Sequence, residues 1–465
     1  MHKTKRKIHW PSYTKQFQKE GVRRINYFKG VALLADEMRL GKTLQTLLYC
    51  SAYMERSPVV IVCPATVKHV WQHQILEHLN MRSLLIEGGK PFRTRQILAT
   101  RPHFIILNYD ILRQHLKYLM SLHPQILIID ECHYIKNRKA QRTKNCKKLS
   151  RKIPHRIAIS GTPLTNRPSE LFPTLNILHP KKFRSFWKFA FRYCGPRHGT
   201  WGWEYKGASH IAELHKMLTE TMMIRRLRKD VMKYYKEPLR EIIPMDISNP
   251  KEYQEAENNF IVWLQKKSIK KAKSAQKAKR LVQMGYLARL AAELKMKSVF
   301  QWIDDFLESS DEKLLLCGVH QKIINQLHER YKKISVVVNG KVVGKKRAIA
   351  IKSFQTNKKI RIFIGNIQAA GVGIDLSKAN TIAFVELDWV PGNHTQFEDR
   401  IININKKSQV TIYYFVGYKT IEHSRCKILQ RKQKVLSATL NGNVTDNQLN
   451  IYDELEKSLL KKVKN

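Results

Sequence analysis

Val31-Ala32-Leu33-Leu34-Ala35-Asp36-Glu37-Met38-Arg39-Leu40-Gly41-Lys42-Thr43 begins as a short apolar run and ends on Gly-Lys-Thr. Behind it, Leu44, Leu47, Leu48 and Ala52 recur at the spacing of one helix face. Strand, loop and helix start in that order are the context that a phosphate-binding loop needs. The Gly41 to Thr43 amides at a helix N-terminus would cradle phosphate, Lys42 would reach the β and γ phosphates, and Thr43 would hold magnesium. The strict pattern has Gly where Asp36 stands, so the loop by itself also fits an ordinary helix start.

Four further runs read as buried strands: Val59 to Cys63, Phe104 to Leu107, Ile126 to Ile129 and Ile157 to Ile159. Alternating with amphipathic stretches, they give an α/β fold with a mostly parallel sheet. Ligands bind such sheets beyond the carboxyl ends of the strands. There the third of these runs ends in Asp130-Glu131-Cys132-His133. Asp130 suits magnesium, usually through water, and Glu131 suits the water that attacks a γ phosphate. Ser160-Gly161-Thr162-Pro163 opens a turn at the same edge, and Phe17-Gln18, ahead of the first strand, offers an amide for adenine.

Across 465 residues, 85 Lys and Arg stand against 37 Asp and Glu, for a formal charge of +48. That excess predicts a polyanionic partner, nucleic acid before a membrane surface. With 43% apolar residues the chain can bury two or three cores. No apolar run approaches the roughly 20 residues of a membrane span, so a transmembrane protein is excluded at this stage. Seven scattered cysteines without a Cys-x-x-Cys pair point to a reducing compartment. We expect an intracellular protein, cytoplasmic and nucleoid-associated or virus-encoded sooner than nuclear.

The motifs, in this order, resemble the Swi/Snf-type branch of superfamily-two helicases. The second half follows suit: Gly371-Val372-Gly373-Ile374-Asp375-Leu376, Trp389-Val390-Pro391 and Gln396-Phe397-Glu398-Asp399-Arg400 look like that family's fifth and sixth motifs. Trp201-Gly202-Trp203, Gly207-Ala208-Ser209 and Ile224-Arg225-Arg226-Leu227-Arg228-Lys229-Asp230-Val231 look most like the annealing-helicase group and its prokaryotic and viral relatives. The resemblance implies two RecA-like lobes that use ATP and Mg2+ while tracking duplex DNA. It implies nucleotide contacts from Gln18, the loop Asp36, Glu37, Met38, Arg39, Leu40, Gly41, Lys42 and Thr43, and from Gly371, Gly373, Asp375 and Gln396. It also implies Arg400 as a cation acting on the transferring phosphoryl. Leu314 to Cys317, Val336 to Val338, Ile360 to Ile364, Ile382 to Val385 and Val410 to Val416 read independently as strands of the second lobe, which has no Gly-Lys-Thr of its own.

Two departures stand out. Arg39 occupies a position where the family usually has Gly, so the loop must find an unstrained conformation or carry a local cost. The sixth motif usually continues with His, Arg, Ile, Gly and Gln, whereas this chain has Ile402, Asn403, Ile404, Asn405 and Lys406. A second arginine is missing, and such an arginine can change rates by orders of magnitude.

Lysines and arginines follow the Asp130-Glu131 turn densely, and Lys144, Lys147 and Lys148 are the expected contacts to DNA phosphates. Lys68, after Cys63-Pro64 where the family has its motif Ia, joins them. Gln265 to Arg280 reads as a solvated spacer or a further backbone contact, and the tryptophans between Tyr193 and Gly207 as packing or base-stacking residues. We expect lobe 1 over residues 1–235 with a helical protrusion at about 180–235, a basic helical insertion over 236–298, lobe 2 over 299–440 and a helical brace over 441–465. The expected work is that of a monomeric DNA-dependent ATPase translocating on duplex or branched DNA. The rivals are a nucleotide-binding, poorly hydrolysing DNA scaffold and an RNA helicase of the same superfamily.

Overall fold

The computed structural model describes residues 8–52, 58–88, 102–199, 202–260, 283–342, 344–368, 374–402 and 406–442. The chain divides into two units, Met1–Tyr235 with Val435–Val444, and Lys236–Lys434 with Thr445–Asn465. In the first unit β1 (Val31–Leu34), β2 (Val59–Cys63), β3 (Ser83–Leu85), β4 (Phe104–Asn108), β5 (Ile126–Asp130), β6 (His155–Ile159) and β9 (Met223–Ile224) form one sheet. Its order is β3-β4-β2-β5-β6-β1-β9, and every pairing is parallel. The antiparallel hairpin β7 (Arg197–Gly199) and β8 (Gly202–Glu204) stands apart from it.

Side chains alternate across a strand, and here both faces are covered. Val31, Leu33, Val60, Val62, Leu127 and Ile129 enter one core, whereas Ala32, Leu34, Val59, Ile61, Ile126 and Ile128 enter the other. That is why the strands read as unbroken apolar runs. Because all strands point the same way, the loops after β1, β5, β6 and β9 emerge at one edge. The order sets β1 between β6 and β9, so three of those loops are neighbours.

The second unit holds β10 (Leu239–Met245), β11 (Leu314–Gly318), β12 (Ser335–Val338), β13 (Ile362–Asn366), β14 (Thr381–Phe384) and β15 (Thr411–Gly417). Their order is β10-β15-β14-β11-β13-β12, again all parallel. The fold is thus mixed α/β with two parallel sheets, as expected. Leu239–Met245, within the stretch 236–298 read from composition as a helical insertion, supply β10 to this sheet, while Pro250–Asn258 of the same stretch is helical and 261–282 lie outside the described residues. The Leu-Arg-Glu-Ile-Ile-Pro-Met sequence of β10 carries charges and a proline that an edge strand tolerates. A buried ion pair closes the unit: Lys295 Nζ lies 2.6 Å from Glu422 Oε2 and donates to the Phe415 carbonyl. All seven cysteines are buried free thiols. Among the described residues no helix is long and apolar enough to cross a membrane.

Candidate active site

The loop between β1 and the helix Lys42–Ser51 is held in a left-handed conformation at two places. Gly41, the residue that caps the helix, has φ +71°, and a Cβ there would meet Gln18 Nε2 at 2.3 Å. Gln18 therefore lies directly against the loop, donating from Nε2 to the Leu40 carbonyl at 3.3 Å while its Oε1 accepts from the Lys15 amide. Arg39 has φ +69°, so the arginine takes a backbone conformation suited to glycine. The local cost is about 1–2 kcal/mol. Lys42 Nζ is drawn across the loop onto the carbonyls of Asp36 (2.8 Å) and Glu37 (2.9 Å). A helix N-terminus with a glycine that has no room for a side chain, followed by a lysine and the half-buried Thr43, is a fit cradle for phosphate.

The carboxylates of Asp36 and Glu37 turn away from that cradle. Arg226, just beyond β9, grips fully buried Asp36 with Nε at 2.9 Å from Oδ1 and Nη2 at 2.5 Å from Oδ2. It also donates to Gln45 Oε1 and to the Phe17 carbonyl. Glu37 Oε2 accepts from the Arg228 amide at 2.6 Å, and Arg225 donates to the carbonyls of Ala35 and Gly161. Three arginines thus tie the acidic half of the loop to the β9 end of the edge. Asp36 fixes the backbone on which Lys42 rests.

Next along the edge stand Asp130 and Glu131. Trp71 Nε1 donates to Asp130 Oδ2 at 2.7 Å, the Glu131 amide donates to Oδ1, and Tyr109 Oη donates to the Asp130 carbonyl. Glu131 has φ +49°. Its Oε2 accepts from Ser160 Oγ at 2.8 Å and lies 3.2 Å from His133 Nδ1. Burial pushes the Asp130 carboxyl up to about 7, with the charge of Glu131 adding to it. Burial acts on Glu131 in the same sense, but His133, Lys42 and Ser160 outweigh it and hold that carboxyl down to about 2. A Cβ on Gly161 would come within 2.7 Å of the Met38 side chain, so the turn after β6 also packs on the loop.

Among the described residues no cluster of three His, Cys, Asp or Glu side chains is placed to hold a metal. A hydroxyl from Thr43 and a carboxylate from Asp130 are instead the hard oxygen donors that suit magnesium arriving with its phosphates.

In the second unit Arg400 is only 5% exposed. Its Nε donates to the Gln396 carbonyl at 2.9 Å, and its own carbonyl accepts from the Leu376 amide. Arg400 and Gln396 are thus joined to the Ile374–Leu376 segment, where Asp375 accepts from the amide and hydroxyl of Ser377 at 3.3 Å. Glu398 is buried on Arg240 of β10. Lys406 is tied to the carbonyls of Ser377 and Ala379, and burial lowers its pKa to about 8. Gly371, Gly373 and Asn403 lie outside the described residues.

The basic helix Gln141–Ser150 keeps Thr143, Asn145, Cys146, Leu149 and Ser150 inward and presents Lys144, Lys147 and Lys148 to solvent. Lys68 differs from them. It is 8% exposed, donates to the Ile86 carbonyl and lies 3.5 Å from Glu87, so its charge is already met within the unit. That placement goes against the expected free contact to a phosphate.

Trp71, Tyr109, His133 and the arginines after β9 are the parts that sequence reasoning missed as members of this site. Arg225, Arg226 and Arg228 were legible only as a family signature. The signal available was an unusual surplus of arginine directly after an apolar pair, Met223-Ile224.

The chain is similar to known proteins along most of its length. The SNF2-related domain matches residues 17–299, and the helicase conserved C-terminal domain matches residues 295–405. A Xenopus laevis protein named SWI/SNF-related matrix-associated actin-dependent regulator of chromatin subfamily A-like protein 1 is 31% identical over 90% of this chain and 43% of its own. The Caenorhabditis elegans homologue is 32% identical over 90% of this chain and 61% of its own. The human DNA annealing helicase and endonuclease ZRANB3 is 31% identical over 92% and 40%, respectively. The chain thus spans between 40% and 61% of the length of these relatives. A solved Sulfolobus solfataricus SWI2/SNF2 ATPase core in complex with dsDNA covers 96% of the chain at 20% identity and a TM-score of 0.45. The expectation of a bacterial or viral setting gains no support from the three animal relatives.

Proposed function

From the premise that the chain belongs to the SNF2-related domain family, we propose that it is a DNA-dependent ATPase that moves along, or remodels, duplex or branched DNA as a monomer. The observation that carries this is the carboxyl edge of the first sheet. There Lys42 follows β1, Glu131 follows β5 and Ser160 follows β6, and Glu131 is already oriented by Ser160 and His133. In phosphoryl transfer the protein contributes mostly positioning and charge stabilisation. Gly41 to Thr43 would bind the phosphates, Lys42 would neutralise them, and the Glu131 carboxylate would orient the attacking water. Thr43 and Asp130 would hold magnesium, which neutralises charge on the β and γ oxygens. Gln18, packed on the loop, would read adenine.

The DNA half of the proposal rests on the +48 charge and on the solvent-facing lysines of the helix Gln141–Ser150. The annealing helicases and chromatin regulators among its relatives point the same way. ATP turnover measured with and without blunt duplex DNA tests it, with duplex RNA as the control that would reveal an RNA motor.

One observation favours the scaffold as a second reading. Arg400, the only sixth-motif arginine, is buried on backbone carbonyls of its own unit. If it must be released before it can meet a phosphoryl group, turnover is slow although nucleotide binds. Arg400→Ala should then abolish the turnover that remains, and Asn403→Arg should raise it. Turnover that survives Arg400→Ala would remove that residue from the chemistry.

A further inference from the structure

A cavity of about 930 Å³ lies along the helix Phe186–Tyr193 of the first unit, and no residue of the phosphate loop lines it. Six of its lining residues are basic and none is acidic. Arg192 is paired with Glu213. Lys181, Lys182, Arg184 and Lys188 are exposed, and among the described residues no acid pairs with them. Four like charges on one wall repel one another, and an anionic ligand relieves that repulsion.

The same wall is aromatic. Phe189 and Ala190 of the helix are buried and Phe186 and Tyr193 are half-buried, so its inward face already serves the core. Trp187 and Phe191, four residues apart on the outward face, are 51% and 47% exposed. They pack on neighbouring rings, Phe191 on Trp203 (5.1 Å) and Tyr205 (5.8 Å), but about half of each stays open to solvent. Trp187 packs against the rings of Phe186 (centroids 5.4 Å apart) and Tyr205 (5.1 Å). The Arg138 guanidinium stands 4.2 Å from the Phe186 ring and 5.5 Å from that of Trp187. An indole held by two ring neighbours and a guanidinium, yet half exposed, is an ordered aromatic surface on which a base can stack.

We propose that this face binds an unpaired DNA strand, with a base stacked on Trp187 and the backbone phosphates on Lys181, Lys182, Arg184 and Lys188. A duplex keeps its base faces stacked on one another and offers only phosphates to the cations. An unpaired strand offers both, and it alone uses the aromatic half of the wall. The inference rests on the DNA reading above and makes it narrower: the substrate has a single-stranded arm.

The test is an anisotropy titration of the full chain against three labelled probes: a blunt duplex, the same duplex with a single-stranded oligothymidine arm, and the oligothymidine alone. Wild type should bind the armed duplex more tightly than the blunt one. Trp187→Ala should weaken the armed duplex and the oligothymidine by about 5- to 100-fold. It should leave blunt-duplex affinity, duplex-stimulated ATP turnover and the melting curve as they are, and Trp187→Phe should retain most of the preference. Lys181→Ala with Lys182→Ala should flatten the salt dependence of oligothymidine binding. Equal binding of all three probes by wild type and Trp187→Ala overturns the proposal, as does equal weakening on all three. Failure of the motor reading would show separately, as wild-type turnover indifferent to blunt duplex.

Discussion

Replacing Arg226 by Met removes the guanidinium that holds Asp36, whose carboxylate is fully buried. Four hydrogen bonds go with it, two to Asp36 and one each to Gln45 and Phe17. Removing one partner of a buried ion pair costs about 3–5 kcal/mol, because the remaining charge keeps its desolvation penalty and loses its compensation. Adding Asp36→Asn removes that charge. The double variant then leaves only neutral polar groups short of partners, at about 1–3 kcal/mol. It should therefore be about 2 kcal/mol more stable than Arg226→Met alone, the signature of direct coupling. In domains of this size each kcal/mol shifts Tm by about 2–4 °C, so the first unit should melt about 6–20 °C lower in the single variant and recover in part in the double. Circular dichroism melts read the stability. A fluorescent-nucleotide titration reads the site, since Lys42 rests on the Asp36 carbonyl. Melting of Arg226→Met with the wild type, or a double variant less stable than Arg226→Met, would refute the claim that this arginine supports the phosphate loop.

Three other expectations follow from the same geometry. Lys42→Ala should abolish tight nucleotide binding, whereas Glu131→Gln should keep binding and lose hydrolysis, because Lys42 meets charge in the ground state and Glu131 acts only as water attacks; equal affinity loss in a fluorescent-nucleotide titration would contradict this. Neutralising Lys144, Lys147 and Lys148 together should flatten the slope of log affinity against log salt by about one unit per lost phosphate contact, up to about three, and an unchanged slope would return them to a solvated face. Arg39→Gly relieves about 1–2 kcal/mol of left-handed strain and adds about 0.5–1 kcal/mol of chain entropy, so it should raise Tm slightly or leave it unchanged, whereas the β-branched Arg39→Val should lower it; a higher Tm for Val than for Gly would show that Arg39 is unstrained.

The central strands were legible because full burial on both faces writes itself as an apolar run, and β2 was read with its observed bounds. Of the edge strands, β12 was read as Val336 to Val338, but the other three were not. β3 is only half-buried, β9 has two residues, and β10 mixes charges with apolar positions because one of its sides has no neighbour. In the site, Asp130, Glu131 and Ser160 were readable because they stand at or directly after the end of a readable strand, and Lys42 because Gly-Lys-Thr opens the helix that follows β1. The arginines of the loop were not, since Arg226 and Asp36 are 190 positions apart and meet only because β9 pairs with β1. The strain at Arg39 was posed by the sequence as a choice, and the backbone answers it with φ +69°. Lys68 shows the opposite limit: it was read as a DNA contact from its place after β2, and in the structure it is buried beside Glu87.

The measurement that bears most directly on the account is steady-state ATP turnover of the full chain, with and without blunt duplex DNA, in wild type and Glu131→Gln. The account predicts turnover that rises with duplex in wild type and vanishes with and without it in Glu131→Gln. Turnover unaffected by DNA, or retained in Glu131→Gln, would contradict it.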